Sequence, residues 1–315
     1  MRLDPSGVQL TASVAGQTYN INDGHKIRLE LFDLGMPAAL RITQRAPSQN
    51  GRSNLSGLTR ERYLDLSWTL SGNDLPDYYE LRQTMQEIFR MRETVPVVLT
   101  FTLPSGAVRA VEVYIDGMLL FDDRAHTRTR VSGIFVADDP RLYDPTAQAL
   151  TFALLGNSGG LPIPFTIPIP IGQSAIDNIV ELTYANASRI AASEFPIIVI
   201  TGPIRNPIVE NVTTGEKIDL SANGGLEISA GESVTIDLSG FPRRDSKTIR
   251  NQNGESVSQF LSTDSDLNNF HFSWAGELLP DGTYGTGVNR VRAYGEGINL
   301  LTTVEFTYYN RYEGV

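Results

Sequence analysis

The chain of 315 residues contains no cysteine, which excludes disulfide bonds, thiolate metal sites and a cysteine nucleophile. Histidine is scarce as well, since His25, His126 and His271 are too few for a histidine-rich metal centre. No stretch approaches the ~18 consecutive apolar residues of a membrane-spanning helix. The first residues also lack the apolar run of a secretory signal. We therefore expect neither a membrane-inserted segment nor a signal peptide.

Basic residues are outnumbered, because 26 lysines and arginines face 36 aspartates and glutamates and give a formal net charge of -10. Nucleic-acid binding requires basic surface to neutralise phosphates, so we expect no specific nucleic-acid recognition. The imbalance lies after Pro145, where 10 basic residues accompany 18 acidic ones, whereas the preceding part has 16 and 18. At ~100–200 residues per domain, this predicts two domains, residues 1–150 and 151–315, with a linker at about 145–165.

Motifs that carry catalysis are also missing. The sequence has no phosphate-binding glycine loop, dinucleotide fingerprint, G-x-S-x-G elbow or H-E-x-x-H pair. His271 alternates with Phe270 and Phe272, so we expect it on the polar face of a strand and not in a catalytic site. We predict no enzymatic activity, no catalytic residues and no cofactor.

One acidic segment begins like a calcium-binding loop. Residues 264–269 carry oxygen ligands at alternate positions, starting with Asp264 and Asp266. A calcium loop has glycine at its sixth position and glutamate at its twelfth, where this chain has Asn269 and Ala275. We therefore predict no metal ligands and keep calcium at 264–269 only as a minor alternative.

The most common pattern in the sequence is an alternation of apolar and polar residues. This pattern predicts short β-strands separated by turns. Residues 163–171 alternate too, but their prolines remove hydrogen-bond donors, so we expect an extended connector there. The fold is therefore predicted to be mostly β. The predicted strands include residues 27–31, 97–103, 111–115, 197–200, 234–238, 270–274, 288–294 and 304–309.

One segment has the period of a helix. Apolar residues recur there at steps of three and four and form a single apolar face. An Asn or Asp at 73 or 74 can cap its start, and a proline at 76 suits its first turn. We predict a helix over 77–92 that covers the open side of the first β-domain. Its apolar face consists of Tyr78, Leu81, Met85, Ile88 and Phe89.

Arginine is concentrated in residues 41–62, where five arginines accompany a single acid, Glu61. The middle of this segment is polar and is typical of a long loop. Long loops in compact domains are often functional, so we expect it to contact an acidic partner or a neighbouring copy of the chain. A solvated hairpin tip is the alternative. The arginines are Arg41, Arg45, Arg52, Arg60 and Arg62.

Strand and turn signals follow a distinctive order in the second half of the sequence. One run reads Gly-Pro-Ile-Arg-Asn-Pro-Ile-Val-Glu-Asn-Val-Thr-Thr-Gly-Glu over residues 202–216. This order resembles the distal tail proteins of long-tailed, non-contractile bacteriophages, the siphophage tail component family. The likeness covers about residues 130–315, and residues 41–62 have no counterpart in the family pattern. The segments that carry it are 139–144, 202–216, 226–228, 231–237, 247–254 and 304–312.

The resemblance implies a mostly β fold, with an N-terminal β-barrel or split-barrel ring-forming domain carrying one helix and a C-terminal galectin-like β-sandwich. It implies a homo-hexameric ring that joins the tail tube protein to the tail-tip hub or fibre protein and serves as an attachment platform in the baseplate. Tape measure and receptor-binding proteins are further partners that it suggests. The expected location is the distal end of the virion tail, after assembly in the host cytoplasm. A closed ring needs two different contact surfaces, and the five arginines are candidates for one of them.

Two other functions remain open. The second domain can be a carbohydrate-binding module for host receptor recognition, with Trp274, Tyr284 and Tyr294 as the aromatic rings that stack on a sugar. The chain can also be a tail tube protein, because several tail proteins share ring-forming β-barrel domains.

Overall fold

A computed structural model describes residues 2–3, 7–35, 39–44, 53–90, 95–103, 105–154, 179–184, 188, 191, 194–239 and 247–314. Two compact units are present, the first formed by Met1–Pro145 with Tyr312–Val315 and the second by Thr146–Arg311. The predicted second domain, residues 151–315, thus includes four residues that belong to the first unit. The predicted connector at 163–171 lies outside the described residues.

An antiparallel sheet forms most of the first unit. Its strands, in chain order with one separate hairpin, are β1 (Arg2–Leu3), β2 (Gln9–Val14), β3 (Gln17–Asn20), β4 (Ile27–Asp33), β5 (Ala39–Gln44), β6 (Ser53–Thr59), β7 (Arg62–Ser71), β8 (Val97–Thr102), β9 (Val108–Ile115), β10 (Leu120–Ala125), β11 (Arg128–Ala137) and β12 (Leu142–Tyr143). The hydrogen-bonded order is β1-β4-β7-β11-β9-β8-β2-β3, with β10 on β11 and β12 on β9. Among the described strands this path ends at β1 and at β3, so the sheet is open and no closed barrel forms.

Alternation along the strands builds the core of the first unit. In β2, Leu10, Ala12 and Val14 are buried, and the residues between them are exposed or half-buried. The predicted strands at 97–103 and 111–115 form a hairpin, because β8 pairs with β9 and Gly106 in the connecting turn has a φ of 84°. Trp68 on β7 is fully buried, so the core lies on the inner face of β7 and β11.

The helix α1 (Leu75–Ile88) packs against β7. Asp74 is its N-cap and accepts a hydrogen bond from the Asp77 N–H at 2.9 Å, which confirms the predicted cap. The helix ends four residues before the predicted position 92. Phe89 forms its C-cap, and the ring of Phe89 packs on Trp68 with centroids 5.5 Å apart. The predicted apolar face is confirmed, and its buried helical residues are Tyr78, Met85 and Ile88.

The second unit is a β-sandwich of two five-stranded sheets. Its strands are β13 (Gln148–Ala153), β14 (Ile179–Thr183), β15 (Ile197–Thr201), β16 (Ile204–Asn211), β17 (Glu216–Asp219), β18 (Glu227–Ile228), β19 (Ser233–Asp237), β20 (Thr248–Asn251), β21 (Ala275–Leu278), β22 (Tyr284–Thr286), β23 (Val288–Glu296) and β24 (Thr303–Tyr308). One sheet has the order β13-β24-β15-β19-β20 and the other β14-β23-β16-β17, with β18 on β16. A separate hairpin joins β21 to β22.

The predicted strand over residues 270–274 is wrong. The segment makes a single isolated bridge, and side chains bind much of its remaining backbone. Asn289 accepts from the Ser273 N–H at 2.8 Å and donates to the Ser273 carbonyl at 2.9 Å. Asn211 donates to the carbonyl of His271 at 2.7 Å. Because buried backbone groups need partners, these two buried asparagines replace a neighbouring strand.

Residues 312–315 complete the first unit. The strand β25 (Arg311–Tyr312) pairs with β12. The Tyr312 ring is buried beneath the guanidinium of Arg109, which lies 3.8 Å from the ring centroid. The Tyr312 hydroxyl donates to Asp144 at 3.1 Å, and Asp144 also pairs with Arg109. Burial, together with the nearby Asp144 charge, raises the pKa of Tyr312 to about 12.

Candidate functional site

The arginine-rich segment is a hairpin, and its two arms are strands. β5 pairs with β6, and neither strand pairs with any other strand of the described chain. Arg45 and Arg52 lie outside the described residues, as does the side chain of Arg41 on β5. The described part of the segment is therefore a hairpin, as the second of the two interpretations expected. Its role as a ring contact stays a prediction.

Arg60 and Arg62 have opposite environments. Arg60 is exposed, whereas Arg62 is 1% exposed and begins β7 on the same face as the buried Leu64. The Arg62 guanidinium donates to the carbonyl of Glu313 at 2.6 Å, and burial lowers the pKa of Arg62 to about 10. The predicted role of Arg62 as a surface contact is corrected, because the alternation of β7 turns this side chain into the unit.

The opposite face of the same sheet carries exposed apolar side chains. Strand β7 places Tyr63 opposite Val136 on β11, and Ile134 lies two residues before Val136 on the same face. On β10, Leu120 is opposite Ser132 of β11. We name the exposed set Tyr63, Leu120 and Ile134 the outer apolar face. Their exposures are 51%, 61% and 51%.

These apolar side chains are exposed within their own unit, and Asp65 lies opposite Ile134 on the same face. Contiguous exposed apolar patches of more than a few hundred Å² are uncommon on monomeric proteins and mark sites of association. The core-facing side of β11 is filled by residues such as Phe135, so Ile134 and Val136 are apolar on the other side. The signal in the sequence is the unbroken apolar run Ile-Phe-Val-Ala at 134–137, which is typical of a strand covered on both faces.

The three aromatic residues predicted to bind sugar do not gather. Tyr284 is 72% exposed on β22, where it lies directly opposite Leu278, itself 65% exposed. Trp274 is half-buried beside His271, with ring centroids 6.1 Å apart. Tyr294 is half-buried on β23. Within the described part of the chain, none of these three rings packs on another.

His271 holds the base of the β21–β22 hairpin. Its Nδ1 lies 3.1 Å from the Glu216 carboxylate on β17, and its Nε2 lies 2.7 Å from Glu277 on β21. Burial lowers the pKa of His271, but the hydrogen bonds to Glu216 and Glu277 outweigh burial and raise the pKa to about 10. The expectation of a polar strand face is therefore wrong, since His271 is a largely buried cation between two carboxylates.

The acidic residues at 264–269 bind groups of their own unit. Asp264 pairs with Lys217 at 2.6 Å, which lowers the pKa of Asp264 to about 2. Asp266 accepts from the Lys217 N–H at 3.4 Å. Among the described residues, no three acidic or histidine side chains are grouped as a metal site. In the same part of the chain, no helix has the length and apolarity to cross a membrane.

In the described residues, these features define a mostly β protein with one α-helix, an open antiparallel sheet in one unit and a β-sandwich in the other. The same fold occurs in the SPP1 Dit protein, described as a paradigm of the hub adsorption apparatus in phages that infect Gram-positive bacteria. That match has a TM-score of 0.54 at 12% identity and covers 95% of this chain and 98% of the Dit chain.

A chain of the phage P2 baseplate, in its activated conformation with Ca, also shares the fold. The TM-score is 0.51 at 11% identity, with 98% of this chain and 99% of that chain covered. No protein-family model and no curated protein sequence matches this chain. The likeness therefore lies in the fold and spans both units.

Proposed function

We propose that this chain is a structural protein of a phage tail tip, in which six copies form a ring that joins the tail tube to the hub or fibre. The second unit acts as an attachment platform, and the protein works without catalysis or a cofactor. The observation that carries this proposal is the fold match to SPP1 Dit over nearly the whole of both chains.

The surfaces of the first unit agree with a ring. A closed ring uses heterologous contacts, so each copy offers two different surfaces. The outer apolar face supplies one surface, and the β5–β6 hairpin, which pairs with no other described strand, supplies a second.

The second unit has a charged surface where the first unit has an apolar one, because β23 and its neighbours carry ion pairs on their outer face. Arg292 pairs with Glu210 at 2.8 Å and Arg290 lies 3.6 Å from Glu181. Such a charged face is suited to water, which fits a unit that does not build the ring.

Light scattering coupled to size exclusion tests the ring. Six copies of a 34.6 kDa chain give about 208 kDa, the mass expected of the closed assembly. Electron microscopy of the same sample separates the tail tube alternative, because a tube protein stacks into long tubes and a tail-tip ring stays discrete. A chain that is monomeric at every concentration contradicts the ring.

The arginines of this segment other than the buried Arg62 are expected to strengthen the ring. Replacing Arg41, Arg45, Arg52 and Arg60 together with serine should shift the light-scattering mass from the ring towards the monomer, with a free energy of unfolding changed by less than ~0.5 kcal/mol. Arg62→Ser is the contrasting variant and should destabilise the first unit by about 1–3 kcal/mol, because a buried hydrogen bond is lost. A fourfold variant that retains the full ring would overturn this prediction.

The exposed ring of Tyr284 favours carbohydrate binding as a second candidate for the platform. We expect any glycan retained by the wild-type chain on a glycan panel to be lost with Tyr284→Ala, since aromatic faces stack on sugars. Tyr284 is too exposed for this change to unfold the unit, which equal urea midpoints would verify. A panel without a binder, or binding that survives the substitution, excludes this candidate.

A further inference from the structure

The outer strands of the β-sandwich differ in whether the chain covers their free edge. In an antiparallel strand, the backbone N–H and C=O groups of successive residues point alternately to the two neighbouring strands. Every second residue of an outer strand therefore presents both groups at the free edge, where a further strand can pair with them. The outer strands of the two sheets are β13, β14, β17 and β20.

A neighbouring loop covers the free edge of β17. The Lys217 carbonyl accepts from the Asp266 N–H at 2.7 Å. The Asp219 carbonyl accepts from the Ser262 N–H at 2.9 Å, and the Asp219 N–H donates to the Ser265 Oγ at 2.9 Å. The positions that an added strand would need are thus already occupied.

A short return of the chain covers β20 in the same way. The Asn251 N–H donates to the Glu255 carbonyl at 2.9 Å. The Ile249 carbonyl accepts from the Val257 N–H at 3.0 Å. The outer strand β13 is not free along its whole length either, since Ala153 takes part in a further interaction.

The outer strand β14 is left without such a cover. The Tyr184 N–H donates to the Gly287 carbonyl, just before β23 begins, at 2.7 Å, and every second residue back along β14 faces β23 in the same way. The residues between them turn their N–H and C=O groups to the free edge. Within the described part of the chain these groups have no hydrogen-bond partner. The residues concerned are Ile179, Glu181 and Thr183.

The side chains of β14 determine what can lie beside it. Leu182 is buried in the sandwich, whereas the side chain of Glu181 is 67% exposed on the opposite face. Arg290 on β23 lies 3.6 Å from the Glu181 carboxylate on the side away from the free edge. The carboxylate is therefore open to a second cation that approaches from the edge.

We propose that the free edge of β14 receives an extended segment of another tail-tip protein as an added strand, with a lysine or arginine opposite Glu181 and an apolar residue on either side of that cation. Backbone hydrogen bonds at 179, 181 and 183 would supply affinity, and the side chains would supply specificity. The inference rests on the proposed function, because it names how the second unit holds a partner.

The charge of β14 favours a different protein over a second copy as the occupant. Opposite charges at facing positions of two strands attract, and like charges repel. Pairing β14 with β14 of another copy about its centre would place Glu181 opposite Glu181. A basic residue in the partner strand avoids this repulsion, and its apolar neighbours, opposite Val180 and Leu182, would extend the core side of the sheet.

Proline at position 181 tests the added strand. Glu181→Pro removes one outward N–H and leaves the hydrogen bonds between β14 and β23 in place, so an outer strand tolerates it. The probe is an acetylated and amidated peptide with the sequence Thr-Val-Lys-Val-Thr, which presents lysine opposite Glu181 in either direction. The peptide should bind Glu181→Pro at least tenfold more weakly than the parent chain. Equal thermal midpoints would show that folding is intact.

Glu181→Gln is the matched control, because it keeps the N–H and removes only the charge. Its affinity for the peptide should fall by no more than about fivefold, as expected for the loss of an exposed ion pair. A parent chain that does not bind the peptide, or a Glu181→Pro chain that binds it as tightly as the parent, would overturn the proposal.

Hydrogen exchange tests the free edge without any substitution. In the parent chain alone, the amide hydrogens of Glu181 and Thr183 should exchange at least tenfold faster than that of Leu182, which faces β23. Saturating peptide should slow the exchange at Glu181 and Thr183 at least tenfold. Slow exchange at Glu181 without the peptide would show that the chain covers this edge itself, which overturns the proposal.

The outcomes separate strand addition from the proposed function. Glu181→Pro should leave the mass of the ring in light scattering unchanged, and loss of the ring would mean that β14 meets a second copy. A ring whose chains do not bind the peptide overturns strand addition alone. A chain that binds the peptide but never forms a ring overturns the proposed ring and leaves the binding edge standing.

Discussion

Replacing Tyr312 with alanine is expected to lower the free energy of unfolding of the first unit by roughly 3–5 kcal/mol, the usual cost of deleting a buried aromatic side chain. Tyr312 is 3% exposed and lies beneath Arg109, whose guanidinium is 3.8 Å from the ring centroid. The substitution removes both the packing and this cation–π contact, and it leaves Asp144 with one partner fewer.

Tryptophan fluorescence can isolate the unit concerned. Trp68 belongs to the first unit and Trp274 to the second, and the chain has no other tryptophan. In a Trp274→Phe background, urea denaturation followed by fluorescence therefore reports the first unit alone. Tyr312→Phe is the matched control, which keeps the ring and should cost only about 0.5–1.5 kcal/mol for the lost hydrogen bond. Equal midpoints for Tyr312→Ala and the parent chain would show that residues 312–315 do not stabilise the unit.

Replacing His271 with alanine should destabilise the second unit by about 3–5 kcal/mol, because it leaves two carboxylates together without their cation. Glu216 and Glu277 are each 15% exposed, so water screens them poorly. The triple variant His271→Gln, Glu216→Gln, Glu277→Gln is the control, since it removes all three charges and should recover much of the loss. A single His271→Ala variant as stable as the parent would show that His271 between Glu216 and Glu277 does not stabilise the unit.

The same contact of His271 with Glu216 and Glu277 gives the stability of the second unit a pH dependence with a defined sign. The pKa of His271 is raised from 6.5 to about 10, so its stabilising effect is complete below pH 6.5 and declines as pH rises towards 10. Lys247 acts in the opposite direction from pH 8 upward, because burial lowers the pKa of Lys247 to about 8.

The clearest measurement window is therefore pH 6.5–8. There the free energy of unfolding should fall with a slope that approaches 1.4 kcal/mol per pH unit, about the energy of one pKa unit. Urea midpoints of the parent chain and His271→Ala, taken at pH 6.5, 7.25 and 8, test this. Parallel profiles for the two chains would exclude His271 as the source.

Local sequence pattern was sufficient to predict regular elements such as the helix and its paired strands. The cap at Asp74 and the strands β8 and β9 depend on neighbours in sequence, so a capping residue and alternation predicted them. The segment 270–274 has the same alternation but no neighbouring strand. Its backbone partners, Asn211 and Asn289, lie up to 60 residues away, and no local signal reveals them.

The candidate contact surface was predicted only in part. Sequence drew attention to the arginine-rich segment, but the burial of Arg62 depends on which face of β7 meets the core. The outer apolar face is assembled from β7, β10 and β11, and its members become neighbours only through strand register. Apolar residues on the open side of a sheet look like core residues until that register is known.

The route of the chain through the first unit has a consequence for synthesis on the ribosome. The second unit is an insertion of 166 residues, Thr146–Arg311, between Pro145 and Tyr312. At about 5–20 residues per second, translation of the insertion takes roughly 8–33 seconds. During that interval the nascent first unit lacks the ring of Tyr312 and the carbonyl that receives Arg62. Ribosomes that stop within the insertion therefore release chains whose first unit lacks both of these groups.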